Sequence, residues 1–458
     1  MKLMKKLKAV LVLSVIIVIS AFLVSCGKTL EKTVTTQDKK IQEDMHLPKE
    51  LDASLDTKID GIVQKYIENG TITGGVILAS KDGKIVFEKA YGYAHLYELT
   101  DVRDLANPKA KRLKTPQTTE LNTLYDLASC TKVMATTQSI MKLYFEGKLT
   151  VTDKVAKYLP EFAQNGKENV TIEQLLTHTS GLPQWKPTFL YVNKDRNAEL
   201  QLIEQLPLIF KPGEVKYSDF GFMTLGFIVE KITGMGMDAY VETEIYKPLG
   251  MTNTMYKPLD KGIPKNRIAA TSWGNPFEYR MVDEERFPDF GYDCTEDKEA
   301  FKKFKGWRTE VLTGQTNDGN TAMANDGVAG HAGVFSTAED LAILGQLMLN
   351  GGTYNSITLY DQKTIDLFSA NHLGENNRGY GFEMKKKYMG KTATDKMFGH
   401  NGFTGTHVTF DKENNMQIIV LTNKQNLGLT KAGKYHSTFD LAAEVADVFV
   451  EKLTKEAL

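Results

Sequence analysis

The sequence predicts a mixed α/β protein, specifically of the α+β class. An antiparallel sheet is flanked by helices, and a mainly helical region is inserted. Strand patterns occur near both ends of the chain, at 75–87 and 407–421, whereas residues from about 120 to 260 are mainly helical. Strands so far apart in sequence indicate a sheet that is completed late, after the helical insertion. With 458 residues, 41% hydrophobic and 25% charged, the chain is long enough for one large domain.

A helix and a hairpin are predicted at the start of the domain. Apolar residues recur at helical spacing from residue 51 to residue 67. Two apolar runs, 75–80 and 85–87, then flank Asp82 and Gly83. An Asp-Gly pair between apolar runs is a strong signal for a tight hairpin turn, so these runs predict two paired strands.

The second half of the chain is predicted to end in strands and a helix. Residues 270–325 show few periodic patterns and are expected to be irregular. A capping box at 336–339 predicts a helix through Leu349. Strands are expected at 407–410 and 418–421, followed by a last helix over about 438–455.

The N-terminal segment has the pattern of an export signal. Four lysines precede an uncharged apolar run over residues 9–24, which is short for a membrane-spanning helix. The run ends in LVSCG around Cys26, which resembles a bacterial lipobox. We therefore expect a lipoprotein signal peptide over 1–25, a lipidated Cys26 with a flexible tether over 26–50, and a folded domain over 51–458 on the outer face of the membrane. An uncleaved anchor helix is the alternative.

Charge and motif content argue against several classes of protein. The 56 basic and 57 acidic residues give a formal net charge of −1, and no basic stripe or zinc-finger spacing is present, so we expect no nucleic-acid partner. No metal-binding spacing occurs, and neither a metal nor a cofactor is expected. Besides Cys26, the chain has only Cys130 and Cys294, which we expect to be free thiols.

Ser129 is the candidate nucleophile, with Lys132 as its partner. The pattern Ser-x-x-Lys occurs three times, but only Ser129 follows an extended segment at a predicted helix start. Free backbone N–H groups there favour negative charge on the serine oxygen. A lysine three residues later lies on the same helix face and, if partly neutral, can take the serine proton. A capping serine with an exposed lysine is the structural alternative.

Two later motifs accompany this pair in order: Tyr217-Ser-Asp219 and His400-Asn-Gly402. Together the three motifs resemble the serine β-lactamase and penicillin-binding protein superfamily, in its class C β-lactamase-like branch. Within it, the chain is most similar to penicillin-binding proteins of type 4B, regarded as DD-carboxypeptidases, and to secreted N-acetylmuramoyl-L-alanine amidases. The resemblance covers roughly residues 55–455 and implies the β-lactamase/DD-peptidase-like fold.

The resemblance also implies roles for the residues of these motifs. Ser129 would form the acyl-enzyme, Lys132 would activate it, and Tyr217 would relay protons once neighbouring cations acidify its phenol. The backbone N–H groups of Ser129 and Phe403 would form the oxyanion hole. The implied substrate-binding residues are Asp219, His400, Gly402 and Phe403.

Two positions depart from the family pattern. Asp219 stands where asparagine is usual, and a carboxylate near Lys132 would favour the ammonium form and oppose its role as a base. Either Asp219 turns its charge away, or Tyr217 carries more of the proton transfer. His400 stands where many members have lysine, so the positive charge there becomes pH-dependent, which argues against efficient β-lactam hydrolysis.

The leading functional hypothesis is a D-alanyl-D-alanine carboxypeptidase-like hydrolase of peptidoglycan amide bonds. An amidase of the same fold, an esterase or β-lactamase, and a penicillin-binding sensor or scaffold without turnover are the alternatives. The expected partners are a peptidoglycan stem peptide or muropeptide, β-lactams as acylating ligands, and a membrane reached through the lipid anchor.

Other chemically capable residues are expected to be structural. His178 is interpreted as part of a helix end and turn, and His331 as part of a turn near the site. Asp318 is expected in a solvated loop. Trp307 and Arg308 could recognise a sugar or carboxylate, or could simply pack.

Overall fold

The computed structural model of the protein describes residues 45–286 and 295–455. Its strands, in chain order, are β1 (Gly74–Lys81), β2 (Lys84–Asp101), β3 (Lys109–Thr118), β4 (Tyr125–Asp126), β5 (Met255–Tyr256), β6 (Val334–Ser336), β7 (Thr353–Tyr354), β8 (Ile357–Thr358), β9 (Glu383–Met384), β10 (Met397–Gly402), β11 (Thr406–Asp411) and β12 (Met416–Thr422).

The α-helices of the described residues lie mostly between β3 and β9, and the first and last helices flank the sheet. They are α1 (Asp56–Glu68), α2 (Thr137–Phe145), α3 (Ile172–Leu176), α4 (Arg196–Gln205), α5 (Asp219–Thr233), α6 (Met237–Val241), α7 (Pro276–Asp283), α8 (Asp297–Lys303), α9 (Ala338–Leu349), α10 (Gln362–Phe368) and α11 (Phe439–Lys455).

The main sheet joins the two ends of the described chain. Its strand order is β3-β2-β1-β12-β11-β10-β9. Strand β1 pairs antiparallel with both β2 and β12, and Ile77 lies opposite Val420. Asp82 and Gly83 both adopt positive φ, 51° and 77°, as the tight turn between β1 and β2 requires. The predicted hairpin, the late completion of the sheet and the α+β class are confirmed.

Helices cover both faces of the sheet. Successive residues of its central strands point to opposite faces, and apolar residues lie on both. Ile77 packs with the apolar faces of α1 and α11, in a cluster that also contains Val63 and Phe449. Leu78 points the other way and packs with residues of α2, α5 and α9. All residues of β12 are buried, as expected for a strand covered on both faces.

The sequence misplaced several boundaries. The region over 270–325 contains α7 and α8, held by an aromatic cluster in which Trp307 contacts Tyr279 with ring centroids 5.0 Å apart. The start of α9 differs by one residue, since Ser336 ends β6 and the Thr337 side chain caps the helix by accepting the Asp340 N–H. Short apolar segments mixed with aromatic residues hide the helical period.

The predicted tether ends earlier than residue 50. Met45 and Leu47 are buried in the main core, so the folded body begins before residue 51. The signal peptide, Cys26 and Cys294 lie outside the described residues. Cys130 is a free and buried thiol. Within the described ranges, no helix is long and apolar enough to cross a membrane.

Leu78→Ala should lower the free energy of unfolding by about 2–5 kcal/mol, since this fully buried leucine lies in the central strand β1 and its truncation leaves a cavity. Leu51→Ala is the matched control, because Leu51 is 61% exposed and its change should stay within about 0.5 kcal/mol. Denaturant unfolding measures both. Equal losses in the two variants would contradict the described position of β1.

Candidate active site

Ser129 lies where a short strand turns into a helical segment. Strand β4 leads through Leu127 into a 3₁₀ turn over Ala128–Cys130, and a π-helical turn and α2 follow. Ala128 adopts φ 45°, a left-handed conformation that is costly for a residue with a Cβ. The Asp126 carboxylate holds this turn by accepting the Ala128 N–H at 2.9 Å. The turn leaves Ser129 partly exposed.

Lys132 is fully buried beneath Ser129 and has three acceptors. Its Nζ lies 3.0 Å from Ser129 Oγ, 2.7 Å from Asp219 Oδ1 and 3.2 Å from the His331 carbonyl oxygen. An ammonium has three N–H donors, which matches these three contacts. Burial lowers the pKa of Lys132, but the Asp219 carboxylate and the Tyr217 phenol outweigh it, and the net pKa is raised. The resting side chain is therefore an ammonium.

Asp219 directs its charge toward Lys132, so the alternative in which Asp219 turns its charge away is wrong. It is the first residue of α5, where the helix dipole favours a carboxylate. The preceding Ser218 caps the helix and donates from its hydroxyl to the Pro183 carbonyl at 2.5 Å. The motif Tyr217-Ser-Asp219 is thus fixed by the helix start.

The ring of Tyr217 lies between Lys132 and His178. Lys132 Nζ is 4.9 Å from the ring centroid, and the phenol interacts with both Lys132 and Ser129. Burial raises the pKa of Tyr217 more than the nearby ammonium lowers it. The expectation that neighbouring cations acidify this phenol is therefore wrong for the resting site, because desolvation penalises the phenolate.

His178 has a larger part in the site than the sequence indicated. Its ring packs on Tyr217 with centroids 4.4 Å apart, and its Nδ1 accepts the Ser218 N–H at 3.0 Å. Burial, followed by the nearby cations, lowers the pKa of His178 well below its usual range, so the ring is neutral. His178 thereby positions the second motif. The sequence feature that could have indicated this role is the segment Thr-His-Thr-Ser-Gly over residues 177–181, in which His178 adopts φ 59°.

The third motif lies on β10, beside this centre. The His400 ring is 6.2 Å from that of Tyr217 and is 1% exposed. Burial lowers the pKa of His400 to about 4, so this side chain is neutral at pH 7. At Gly402 a Cβ would lie 2.4 Å from the Leu127 carbonyl oxygen, so only glycine permits this contact with the nucleophile segment. At pH 7 His400 therefore carries no positive charge that could bind a substrate carboxylate.

Hydrogen bonds hold the turn after β10 against the nucleophile. The Thr404 hydroxyl donates to the Asp126 carbonyl at 2.6 Å, and the Thr406 hydroxyl donates to the Leu127 carbonyl at 2.9 Å. Phe403 precedes Thr404 and is 42% exposed at the cleft. These two hydrogen bonds hold the segment after β10 against the residues that precede Ser129.

A cavity of about 230 Å³ opens beside Ser129. Tyr217, Asp219 and Phe403 line it, whereas His400 and Gly402 are not among its lining residues. Its other lining residues include Trp185, Phe277, Glu278, Asp318, His331 and Tyr435. None of the described residues that line the cavity is lysine or arginine.

Glu278 is a cavity residue that no pattern in the sequence indicated, and the expectation of a solvated loop for Asp318 is wrong. Asp318 is not in a solvated loop but pairs with His331 at 2.9 Å inside the cavity. Arg308 donates to the Asn275 side chain and to the carbonyls of Thr316 and Asn317, which settles its alternatives in favour of packing. Among the described residues, no group of three or more His, Cys, Asp or Glu could hold a metal ion.

The fold, and the contacts of Ser129 with Lys132, are those of a serine hydrolase. The family model described as Beta-lactamase matches residues 59–442. The chain belongs to this β-lactamase family, which includes the penicillin-binding proteins.

Relatives in the family carry two different names. The chain is 35% identical over 388 residues to an N-acetylmuramyl-L-alanine amidase of Bacillus subtilis, covering 81% of each chain. It is also 35% identical over 387 residues to a putative D-alanyl-D-alanine carboxypeptidase of Salmonella agona, covering 80% of this chain and 82% of that one. Identity alone therefore does not choose between the two activities.

A solved structure shares the fold. A penicillin-binding protein homologue of Caulobacter crescentus superposes with a TM-score of 0.59 and 22% identity, covering 87% of this chain and 99% of that one.

Asp219→Asn should move the acid limb of the pH profile of kcat/KM to lower pH. The carboxylate raises the pKa of Lys132, so its removal makes the neutral amine available at lower pH. A shift of about one unit or more is expected for the loss of an adjacent opposite charge. Hydrolysis of a small aryl ester between pH 5 and 10 measures it.

Asp326→Asn is the control. The Asp326 carboxylate also accepts a hydrogen bond from a lysine, Lys257, but it lies outside the cavity. The profile of this variant should match that of the unchanged enzyme. An unmoved acid limb in Asp219→Asn would show that Asp219 does not control the protonation of Lys132.

Proposed function

We propose that the protein is a serine amidase that cleaves the bond between the muramoyl lactyl group and the L-alanine of a peptidoglycan stem peptide. The observation that carries this proposal is the charge of the cleft. Asp318 and Glu278 line the cavity without a lysine or arginine among its described lining residues, Asp219 is paired with the buried Lys132, and His400 is neutral.

A cleft with this charge is suited to a substrate in which the groups next to the scissile amide carry no charge. In D-alanyl-D-alanine a free carboxylate lies one residue from the scissile amide, and a cation is needed to bind it. In a muramoyl stem peptide the L-alanine carbonyl is itself part of an amide, so the groups on both sides of the scissile amide are uncharged. A cavity lined by carboxyl groups repels the first substrate and tolerates the second.

The resting centre holds no ready base. Lys132 is an ammonium and Tyr217 a neutral phenol, so the pair must lose one proton before it can accept another. The deprotonated pair takes the proton of Ser129 as Oγ bonds to the carbonyl carbon. The pair then returns this proton to the nitrogen as the C–N bond breaks. A water molecule repeats the sequence, and the ester bond to Ser129 breaks.

A DD-carboxypeptidase remains the second candidate because of Arg378. Its guanidinium carbon lies 5.6 Å from the Tyr217 ring centroid. Its contact with Glu383 is 3.4 Å, and its Nη1 has no hydrogen-bond partner among the described residues. If a substrate carboxylate reached this group, Arg378 would supply the cation that the cavity lacks. Relatives named as carboxypeptidases support this alternative.

Incubation of the purified protein with a muramyl pentapeptide, followed by mass analysis of the products, separates the candidates. We expect an intact released pentapeptide and free N-acetylmuramic acid. Release of D-alanine alone would overturn the amidase proposal in favour of the carboxypeptidase. Ser129→Ala should abolish either reaction, and a reaction that survives this change would exclude the serine mechanism.

Two further measurements test the remaining alternatives. If the protein were a carboxypeptidase, Arg378→Gln should raise the KM of D-alanine release. Persistent labelling by a fluorescent penicillin, without turnover of any ester or peptide, would instead favour a sensor or scaffold. Rapid turnover of that penicillin or of simple esters alone would favour a β-lactamase or an esterase.

We further propose that the protein is exported and anchored by a lipid on Cys26. The apolar run and the LVSCG sequence support this location, and a diacyl anchor binds a membrane through its buried methylene groups. Cys26→Ser should abolish incorporation of a palmitate analogue in cells and release the protein from membranes. Continued incorporation in that variant would contradict the anchor, and Cys130→Ser serves as the control.

A further inference from the structure

A pair of carboxyl groups lies in the cavity, on residues that take no part in the steps assigned to Ser129, Lys132 and Tyr217. Glu278 projects from α7, where its Oε1 accepts the Gly319 N–H at 2.6 Å and its Oε2 accepts from the Asn275 side chain. Both Glu278 and Asn275 line the cavity. These two hydrogen bonds fix the orientation of the carboxyl group without neutralising it.

Asp318 is the second member of this pair, and it has hydrogen-bond partners of its own. Its Oδ1 accepts the Thr321 N–H at 2.7 Å and pairs with His331 Nε2 at 2.9 Å. His331 Nδ1 is buried and has no hydrogen-bond partner among the described residues. Asp318, with the imidazole and the backbone amide beside it, is therefore the member of the pair that carries the negative charge.

Aromatic rings form part of the remaining cavity wall. Phe277 lies 5.0 Å from Phe403 and 6.0 Å from Tyr435, measured between ring centroids. Trp185 lines the cavity too. A sugar ring has C–H faces that pack on aromatic rings and a rim of hydroxyl and amide groups that form hydrogen bonds. A mostly apolar wall with a few oriented polar groups is typical of small-molecule sites.

Cavity size limits what can enter. At about 230 Å³ it is smaller than the roughly 300–1,000 Å³ of sites for drug-sized ligands. It accommodates one ring-sized group beside Ser129 and not an extended glycan.

We propose that Glu278, supported by Asp318 and Asn275, forms a subsite that binds a neutral amino-sugar ring on the acyl side of the scissile bond, with the protonated Glu278 carboxyl donating to the acetamido or hydroxyl oxygen of that ring. This inference rests on the proposed amidase function. It assigns Glu278 to substrate specificity, whereas bond cleavage stays with Ser129, Lys132 and Tyr217.

The subsite should depend on pH. Burial, then the Asp318 carboxylate, raises the pKa of Glu278 to about 7, against the opposing effect of Arg308. Asp318, Arg308 and the phenol of Tyr435 are the titratable groups that act on or respond to Glu278. As the pH rises through 7, Glu278 loses its proton and can no longer donate. Sugar binding should therefore weaken.

Glu278→Gln tests this directly, because glutamine keeps the shape and a hydrogen-bond donor but cannot titrate. For N-acetylmuramoyl-L-alanyl-D-isoglutamine, in which the L-alanine carbonyl is an amide and carries no charge, the KM of the unchanged enzyme should rise at least about fivefold from pH 6 to pH 8.5, whereas that of Glu278→Gln should stay constant. Glu278→Leu should raise KM at least about tenfold at pH 6. Hydrolysis of p-nitrophenyl acetate, which lacks the sugar, should keep its kcat in both variants.

Glu284→Gln is the matched control, since Glu284 is an exposed glutamate that follows α7 and pairs with Arg280 and Arg286. It should leave the KM profile unchanged. A muramoyl KM that responds identically to pH in Glu278→Gln and the unchanged enzyme would overturn the subsite. Failure of the unchanged enzyme to cleave any muramoyl amide, with ester hydrolysis intact, would instead overturn the proposed function. Intact ester hydrolysis in Glu278→Leu excludes misfolding.

Discussion

Lys132 and Asp219 lie 87 residues apart in sequence, yet their side chains form an ion pair at the candidate active site. Lys132 Nζ is 2.7 Å from Asp219 Oδ1. Lys132 is fully buried, and a buried ammonium without a partner is strongly destabilising. Its three donors reach the nucleophile segment, the start of α5 and the loop at His331. Three chain segments therefore share one cation, and the positions of Ser129 and Tyr217 depend on that cation staying charged.

The same pair determines the charge of the surrounding histidines. His178 and His400 are buried near Lys132, and both burial and the ammonium lower their pKa values. Neutral imidazoles can pack against Tyr217 without adding charge to the site. No lysine or arginine lies among the described residues that line the cavity, and of its carboxyl groups Asp219 is the one paired with the Lys132 ammonium.

Local patterns in the sequence were sufficient to predict part of this arrangement. The Asp82-Gly83 hairpin and the i+3 spacing of Ser129 and Lys132 depend on neighbouring residues only, and the structure has both. The direction of the Asp219 charge could not be predicted, because it depends on where α5 begins relative to a distant helix. Glu278 was missed for a similar reason: it lies in a region without clear periodicity, and only the fold brings it to Asp318.

One close backbone contact connects the two halves of the site. A Cβ on Gly226 would lie 3.1 Å from Gly330, so α5 and the loop before His331 approach as only glycines permit. The Thr136 hydroxyl donates to the Gly330 carbonyl at 2.6 Å and fixes the loop from the other side. His331 then contacts Lys132 through its carbonyl and Asp318 through its ring. Because His331 contacts both Lys132 and Asp318, a displacement of this loop would disturb the Lys132 ammonium and the carboxyl pair of Asp318 and Glu278 together. The loop at His331 therefore couples the Lys132 ammonium to the carboxyl group of Asp318 in the cavity.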